Sequence, residues 1–227
     1  DPAAAEKSQS QAIARVLAML AALREHHALR EAPVLAAASL LEVAGLRSKA
    51  RELLADAVRQ WPTSAGAHER WRNRLIIDFG AESMRKAYAA YVQAAADKPT
   101  AEWFAGLGAL TAAQQHSKDE RVAEALAAYG EAIDRFARSA AGNADYADTA
   151  NHYAVLALAG RAETEAGRNH DEQAVADLLR ALALRPASLD DTDGLQRKPR
   201  AIAMRVRKAL QDSGKNELAD KLKPFEL

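Results

Sequence analysis

Two histidines lie in separate polar stretches, and their imidazole rings are the first side chains to test for chemistry. His116 lies in QQHSKDE (114–120) and His170 lies in EAGRNHD (165–171). Neutral imidazole binds metal ions, and it gains a proton near physiological pH. If the fold brings both stretches to one edge, the pair offers a joint metal-binding or pH-sensing site. The alternative is that both are ordinary exposed histidines.

The acidic stretch DDTDG (190–194) is the nearest approach to a calcium loop. An EF-hand loop needs an acidic residue where Leu189 stands and a bidentate glutamate where Arg200 stands. Both positions are wrong for calcium. We therefore expect Asp190 to begin a turn and not to bind a metal.

The sequence lacks the motifs that carry common enzyme chemistry. It has no glycine-rich phosphate loop, no H-E-x-x-H and no G-x-S-x-G. It has no cysteine, which excludes thiol catalysis, disulfides and thiolate metal sites. We predict no catalytic residue, no metal site, no cofactor and no small-molecule substrate, so the chain is not expected to be an enzyme.

The composition favours helices and gives no sign of a charged partner. Among 227 residues the hydrophobic fraction is 49%, much of it alanine and leucine, while aromatic residues make up only 5%. The 31 basic and 31 acidic residues balance, so we expect no nucleic acid, and no apolar run is long enough for a membrane span. The chain begins at Asp1 without methionine, which suggests a trimmed product compatible with cytoplasm or periplasm.

Proline and glycine divide the chain into helical segments of about 12–20 residues. Two prolines that end hairpins, Pro62 and Pro99, are separated by 37 residues. A self-similar period of that length is typical of a helical repeat array.

Aligning the segments shows a shared pattern of small and bulky residues. The first block has Val34, Ala38, Ala50, Leu54, Ala57 and Pro62, and the second has Trp71, Leu75, Ala87, Tyr91, Ala94 and Pro99 at the same spacings. This pattern resembles the tetratricopeptide repeat (TPR), which has bulky residues at positions 4 and 24, small ones at 8, 20 and 27, and proline at 32. The resemblance implies an all-α, right-handed α-solenoid of antiparallel helix hairpins.

The third and fourth blocks share one modification of this pattern. Phe104, Leu107, Gly108, Ala125, Tyr129 and Ala132 match Tyr153, Leu156, Ala157, Ala174, Leu178 and Ala181, each 49 residues later. Both blocks carry five extra residues, which we expect to lengthen the turns that contain His116 and His170. The stretch that follows the third block, AAGNADYADTAN (140–151), is expected to extend a helix and then form a loop.

These alignments give the predicted domain organisation. An N-terminal helix (1–31) packs on four repeats within 32–186, which span 32–65, 68–101, 101–141 and 150–188. A polar loop (187–199), either ordered or a flexible joint, then leads to degenerate capping helices (200–227).

In the tetratricopeptide family, the first helices of successive repeats line a concave groove that binds proteins or peptides. The resemblance therefore implies a partner-binding groove formed by Leu35, Ser39, Glu69, Arg72, Asn73, Ile76, Asn151, Leu158 and Arg161. Arg72 and Asn73 are suited to hold a carboxylate or a peptide backbone. The alternative is that the small residues of this surface only accept a neighbouring helix.

Two further features have a structural interpretation. Residues 196–223 contain nine basic and three acidic residues, a local net charge of +6 that fits either an acidic partner or a solvated cap. Trp103 and Phe104 are adjacent, so we expect only one of them to face inward.

The function that this reasoning predicts is a non-catalytic protein- or peptide-binding scaffold. The alternative is a regulatory or spacer domain of a larger enzyme, or an extracytoplasmic assembly factor.

Overall fold

The computed structural model describes residues 2–26 and 28–226; Asp1, His27 and Leu227, which belong to the predicted terminal segments, lie outside the described residues. Every regular element in the described ranges is helical, which confirms the all-α class. The α-helices are α1 (Pro2–Glu25), α2 (Glu31–Val43), α3 (Arg47–Gln60), α4 (Ala65–Ala94), α5 (Lys98–Lys118), α6 (Val122–Gly142), α7 (Ala144–Ala166), α8 (Asp171–Leu184), α9 (Pro199–Asp212) and α10 (Asn216–Lys221). Two short 3-10 helices lie at Pro186–Ser188, between α8 and α9, and at Lys223–Glu226, after α10.

The chain forms two compact units that meet in sequence at Gly80. The helix α4 is interrupted there, because Gly80 has φ 81° and ψ 171°. This left-handed φ suits glycine, which has no Cβ to clash with the backbone. Unit 1 ends at Gly80 and unit 2 begins at Ala81.

Unit 1 is organised around the α2–α3 hairpin. The helices have small side chains where they touch: Ala38, Ala50 and Ala57 are at most 1% exposed. Ala50 packs in one cluster with Leu41 of α2 and Ile13 of α1. The alanines of α3 therefore allow close contacts with neighbouring helices.

Unit 2 contains successive helix pairs that pack in chain order. Helix α5 packs on α6, α6 on α7 and α7 on α8, and α9 then covers α7 and α8. The capping end is filled by Leu222 and Phe225, which are at most 1% exposed, whereas Lys223 is exposed. Leu222 and Phe225 therefore supply the bulky buried side chains that Lys223 does not.

The five extra residues of the third and fourth blocks lengthen helices and not turns, contrary to our expectation. Helix α5 continues through His116 to Lys118, and α7 continues to Ala166. The expected loop before the fourth block is also largely helical, because the Asn143 side chain accepts a hydrogen bond from the Asp145 backbone N–H and begins α7 at Ala144.

The expectation that only one of Trp103 and Phe104 faces inward is wrong. Trp103 is 8% exposed and Phe104 is 3% exposed. Helix α5 is covered on more than one side, and Trp103 packs against Tyr146 and Tyr153 of α7 as well as Phe136 of α6. Adjacent side chains on one helix point about 100° apart, so both are buried only because partners lie in both directions.

Candidate functional site

The surface to test in unit 1 is formed by α2 and the first segment of α4 (residues 65–79). The hydrogen bonds between them advance in step along both helices. Ser64 Oγ donates to Glu31, Arg70 Nη1 donates to the Leu35 carbonyl oxygen at 2.9 Å and to Ser39 Oγ at 2.6 Å, and Arg74 lies 3.5 Å from Glu42. The two helices therefore run parallel and side by side. We call their shared exposed side the α2–α4 face.

The predicted groove residues of unit 1 differ in how available they are. Leu35 and Ser39 are half-buried and already held by Arg70, a residue that the repeat positions did not select. Glu69 and Asn73 are exposed, while Arg72 and Ile76 are half-buried. Within the described chain, no carboxylate forms an ion pair with Arg72. The polar groups that remain free for a ligand are therefore those of Glu69, Arg72 and Asn73.

One end of the α2–α4 face exposes four large apolar side chains, of which Val43 and Phe79 stand at groove positions of the repeat pattern, whereas Leu40 and Ile77 do not. Val43 is 85% exposed, Ile77 69%, Phe79 53% and Leu40 36%. Glu42 on α2 pairs with Arg74 on α4. Val43 follows Glu42 and Ile77 lies three residues after Arg74, so both side chains lie at the same end of the parallel helices. We call Leu40, Val43, Ile77 and Phe79 the apolar end.

The charged groups beside the apolar end neutralise one another. Arg51 Nη1 donates to Asp78 at 3.1 Å, and Arg74 Nη2 donates to the other Asp78 oxygen at 2.7 Å. The Arg51 guanidinium carbon also lies 4.6 Å from the centre of the Phe79 ring. Asp78 therefore fixes two arginines, one of which lies beside the Phe79 ring. Because Glu42 also pairs with Arg74, two cations face two anions and this border presents little free charge.

The predicted groove residues of unit 2 are mostly engaged within the fold. Leu158 is fully buried, so its side chain does not reach a partner in this structure. Arg161 binds Asp177 through Nε and Nη2 at 2.7 and 2.6 Å. This pairing raises the pKa of Arg161 above its usual value. Asn151 is half-buried.

The packing supports the resemblance that the sequence suggested. Eight of the small residues that the tetratricopeptide pattern places at helix contacts are at most 1% exposed, namely Ala38, Ala50, Ala57, Ala125, Ala132, Ala157, Ala174 and Ala181. The second block departs from the pattern, because Ala87 is half-buried and Ala94 is exposed, while Met84 and Tyr88 are the buried side chains there. Helix pairs that pack in chain order are the arrangement that the tetratricopeptide resemblance implies. No protein-family model and no curated protein matches the chain. The chain is similar to the crystal structure of YrrB, described as a TPR protein with an unusual peptide-binding site, with 13% identity over 90% of each chain and a TM-score of 0.42.

Unit 2 also holds a partly buried ionic cluster that sequence reasoning did not find. Arg197, from the loop after α8, donates to Glu163 on α7 at 2.6 Å and to the Tyr129 hydroxyl on α6 at 2.8 Å. It also binds Asp193, whose side chain accepts the backbone N–H groups of Leu195 and Arg197. The loop is therefore ordered around Arg197. A local signal, Asp193 four residues before Arg197, was present, but its partners on α6 and α7 were not visible in the sequence.

The basic C-terminal segment is largely neutralised. Seven of its nine cations pair with carboxylates: Arg197, Arg200, Arg205, Arg207, Lys208, Lys215 and Lys223. Asp190, expected to begin a turn, is the partner of Arg200. The segment therefore presents much less free positive charge than its sequence suggests.

The histidine pair does not form the joint site that was considered. His116 is 1% exposed inside α5, whereas His170 is exposed and its Nδ1 lies 2.7 Å from Glu165. Across residues 2–26 and 28–226, no group of three or more histidine, aspartate or glutamate side chains is arranged to hold a metal ion. In the same ranges, no helix is both long and apolar enough to cross a membrane.

Proposed function

We propose that this chain is a non-catalytic scaffold that binds a protein segment or peptide on the α2–α4 face of unit 1. The observation that carries the proposal is the apolar end, where Val43 and Ile77 are 85% and 69% exposed on neighbouring helices. Scattered single apolar residues are normal on a protein surface, but several large exposed ones at the same end of two parallel helices favour a binding site.

The apolar end favours an uncharged partner surface. Full burial of one valine or isoleucine side chain contributes roughly 1.5–3 kcal/mol. Arg51 and Arg74 already pair with Asp78, and Arg74 also lies 3.5 Å from Glu42, so a charged partner would have to compete with pairs that exist. We therefore expect the bound segment to place aliphatic or aromatic side chains against Val43, Ile77 and Phe79.

The other part of the α2–α4 face suits the backbone or a carboxylate of the same segment. Asn73 is exposed, and its amide offers both a donor and an acceptor to a peptide group. Arg72 has no ion-pair partner in the described chain and carries the only positive charge among the free polar groups named above. This combination favours a segment that is apolar at one end and acidic or backbone-exposing at the other.

The size of the apolar end argues for a short segment. Four partly exposed side chains offer on the order of a few hundred Å². A stable interface between two globular partners buries about 800 Å² on each side. The α2–α4 face is therefore better matched to a peptide or a single helix than to a second copy of the chain.

The proposal is tested by selecting random peptides of 13 residues, the length of α2, on the wild-type chain. The strongest binders are then measured by fluorescence anisotropy against Val43→Ser/Ile77→Ser. We expect the double variant to bind at least about tenfold more weakly, because two apolar contacts are lost. Val122→Ser, at a 40% exposed position in unit 2, is the matched control and should bind as the wild type does.

The same peptides should also respond to Asn73→Ala, with a smaller loss. Unchanged affinity in Val43→Ser/Ile77→Ser would show that the apolar end is not the binding surface. Failure to enrich any peptide on the wild-type chain would count against the scaffold function itself. Circular dichroism of each variant establishes that the helices are retained.

A further inference from the structure

His116 is the most unusual buried group in unit 2. Its side chain is 1% exposed, and neither ring nitrogen has a hydrogen-bond partner among the residues that the structure describes. Leaving a buried donor or acceptor unpaired costs roughly 1–3 kcal/mol. A leucine at this position would fill the space without that cost, so packing alone does not account for a histidine.

The surroundings of His116 hold no carboxylate contact that would stabilise its protonated form. The second segment of α4 (residues 81–94) contributes Glu82 and Arg85, and the turn and first residues of α6 contribute Arg121 and Glu124. Each side thus supplies one cation and one anion, and none of them forms an ion pair with the ring. The residues after His116 on its own element, Lys118 and the turn residues Asp119 and Glu120, are exposed.

Burial is the main reason that the pKa of His116 lies below 6.5, and Arg121 and Arg85 lower it further against the opposing effect of Glu124 and Glu82. The neutral ring is therefore the form that fits the closed structure. An imidazolium in this position is buried without a partner, which strongly favours movement of the ring towards water.

The backbone of His116 anchors the turn that joins α5 to α6. Its carbonyl oxygen accepts the Arg121 N–H at 2.9 Å. The next residue, Ser117, lies with its Oγ 3.3 Å from the Tyr129 hydroxyl, which also accepts a hydrogen bond from Arg197. If the ring leaves its site, this turn and its link to the 190–197 loop are disturbed together.

We propose that His116 is a proton-operated latch, which holds the α5–α6 turn closed when neutral and releases it when protonated. The latch acts on residues 117–125 and, through Tyr129, on the Arg197 loop. Its direction follows from the burial: the open form binds the proton more tightly, so acidification shifts the population towards it.

The test is hydrogen–deuterium exchange of the whole chain at about pH 7.5 and about pH 5.5, corrected for the intrinsic pH dependence of exchange. In the wild type we expect protection of residues 117–125 to fall by about tenfold or more at the lower pH, with a smaller loss in residues 190–197. His116→Leu should abolish this pH-dependent loss. His170→Gln, which changes an exposed histidine of the same unit, should leave it unchanged.

Persistence of the loss in His116→Leu, or its absence in the wild type, would overturn the latch. If His116→Leu does not fold, the ring of His116 is titrated by NMR in the wild-type chain. A native pKa below 6.5, with loss of the native signal as the ring protonates, supports the latch. A pKa at or above 6.5 overturns it.

Discussion

Gly160 on α7 lies directly against the ring of Tyr129 on α6. A Cβ added at Gly160 would stand 2.6 Å from two ring carbons of Tyr129, closer than such atoms approach in proteins. Tyr129 is itself fully buried and holds the Arg197 loop through its hydroxyl. The close contact between α6 and α7 therefore depends on the absence of a side chain at position 160.

Gly160→Ala should destabilise unit 2 although alanine is the better helix former. The added methyl group forces Tyr129 to move in a packed interior, which costs typically 1–3 kcal/mol. The higher helix propensity of alanine offsets at most about 1 kcal/mol of this cost. We expect a net decrease in the free energy of unfolding, measured by urea denaturation.

Gly130→Ala is the matched control for this substitution. Gly130 lies on α6, and a Cβ there would meet only the Arg161 guanidinium, at 3.7 Å. The propensity gain of up to about 1 kcal/mol should therefore appear as a stabilisation. Equal effects of both substitutions would mean that the Gly160–Tyr129 contact is not as close as described.

His68 in unit 1 predicts a loss of stability in acid. It is fully buried, its Nε2 lies 3.1 Å from the Pro62 carbonyl oxygen, and burial lowers its pKa to about 3, with the Pro62 contact opposing and Arg72 reinforcing that shift. The unfolded chain takes up the proton near pH 6.5 and the folded chain only near pH 3. Stability from neutral His68 is therefore complete above pH 6.5 and falls by about 1.4 kcal/mol per pH unit as the pH drops towards 3.

Urea denaturation between about pH 7 and pH 4 measures this dependence. His68→Gln should unfold more easily at pH 7 but show a shallower loss with acid, because the titrating group is gone. His26→Gln, at an exposed position of the same unit, should keep the wild-type slope. An unchanged slope in His68→Gln would assign the acid sensitivity to other groups.

The sequence was sufficient for the parts of the fold that depend on local pattern. Alanines at the repeat positions, such as Ala50 and Ala174, mark helix contacts because only small side chains allow close approach, and both are fully buried. The groove residues were predicted from the positions that line the groove in the tetratricopeptide family and not from local pattern. Those positions do not reveal that Arg70 donates a hydrogen bond to Ser39 or that Leu158 is buried, since both depend on contacts with residues distant in sequence. The domain boundaries and the binding residues stay predictions.

His116 and Arg197 are two further side chains whose surroundings could not be predicted from local sequence. Both lie in polar stretches that local composition assigns to exposed turns or loops. His116 is instead drawn into the core because α5 is longer than the repeat pattern allows, and Arg197 is drawn in by Glu163 and Tyr129. Burial of a polar side chain in these cases is decided by tertiary partners, which a single sequence does not display.

Arg197→Met should destabilise unit 2 more than any change to an exposed ion pair. Burial lowers the pKa of Arg197, but Tyr129 and Asp193 outweigh it and raise the pKa above its usual value, so the guanidinium stays charged in its site. Its removal leaves the Asp193 carboxylate, which is 6% exposed, without its cation. Breaking a buried ion pair from one side costs about 3–5 kcal/mol.

Lys208→Met provides the control, because Lys208 and Asp212 form an exposed pair at 3.8 Å. Such a pair contributes roughly 0–1 kcal/mol. The melting temperature of Arg197→Met should therefore lie clearly below that of Lys208→Met. Arg197→Met should also speed cleavage of the 190–197 loop by thermolysin at Leu195. A melting temperature and a cleavage rate for Arg197→Met that match those of Lys208→Met would show that the Arg197 cluster does not hold the loop in place.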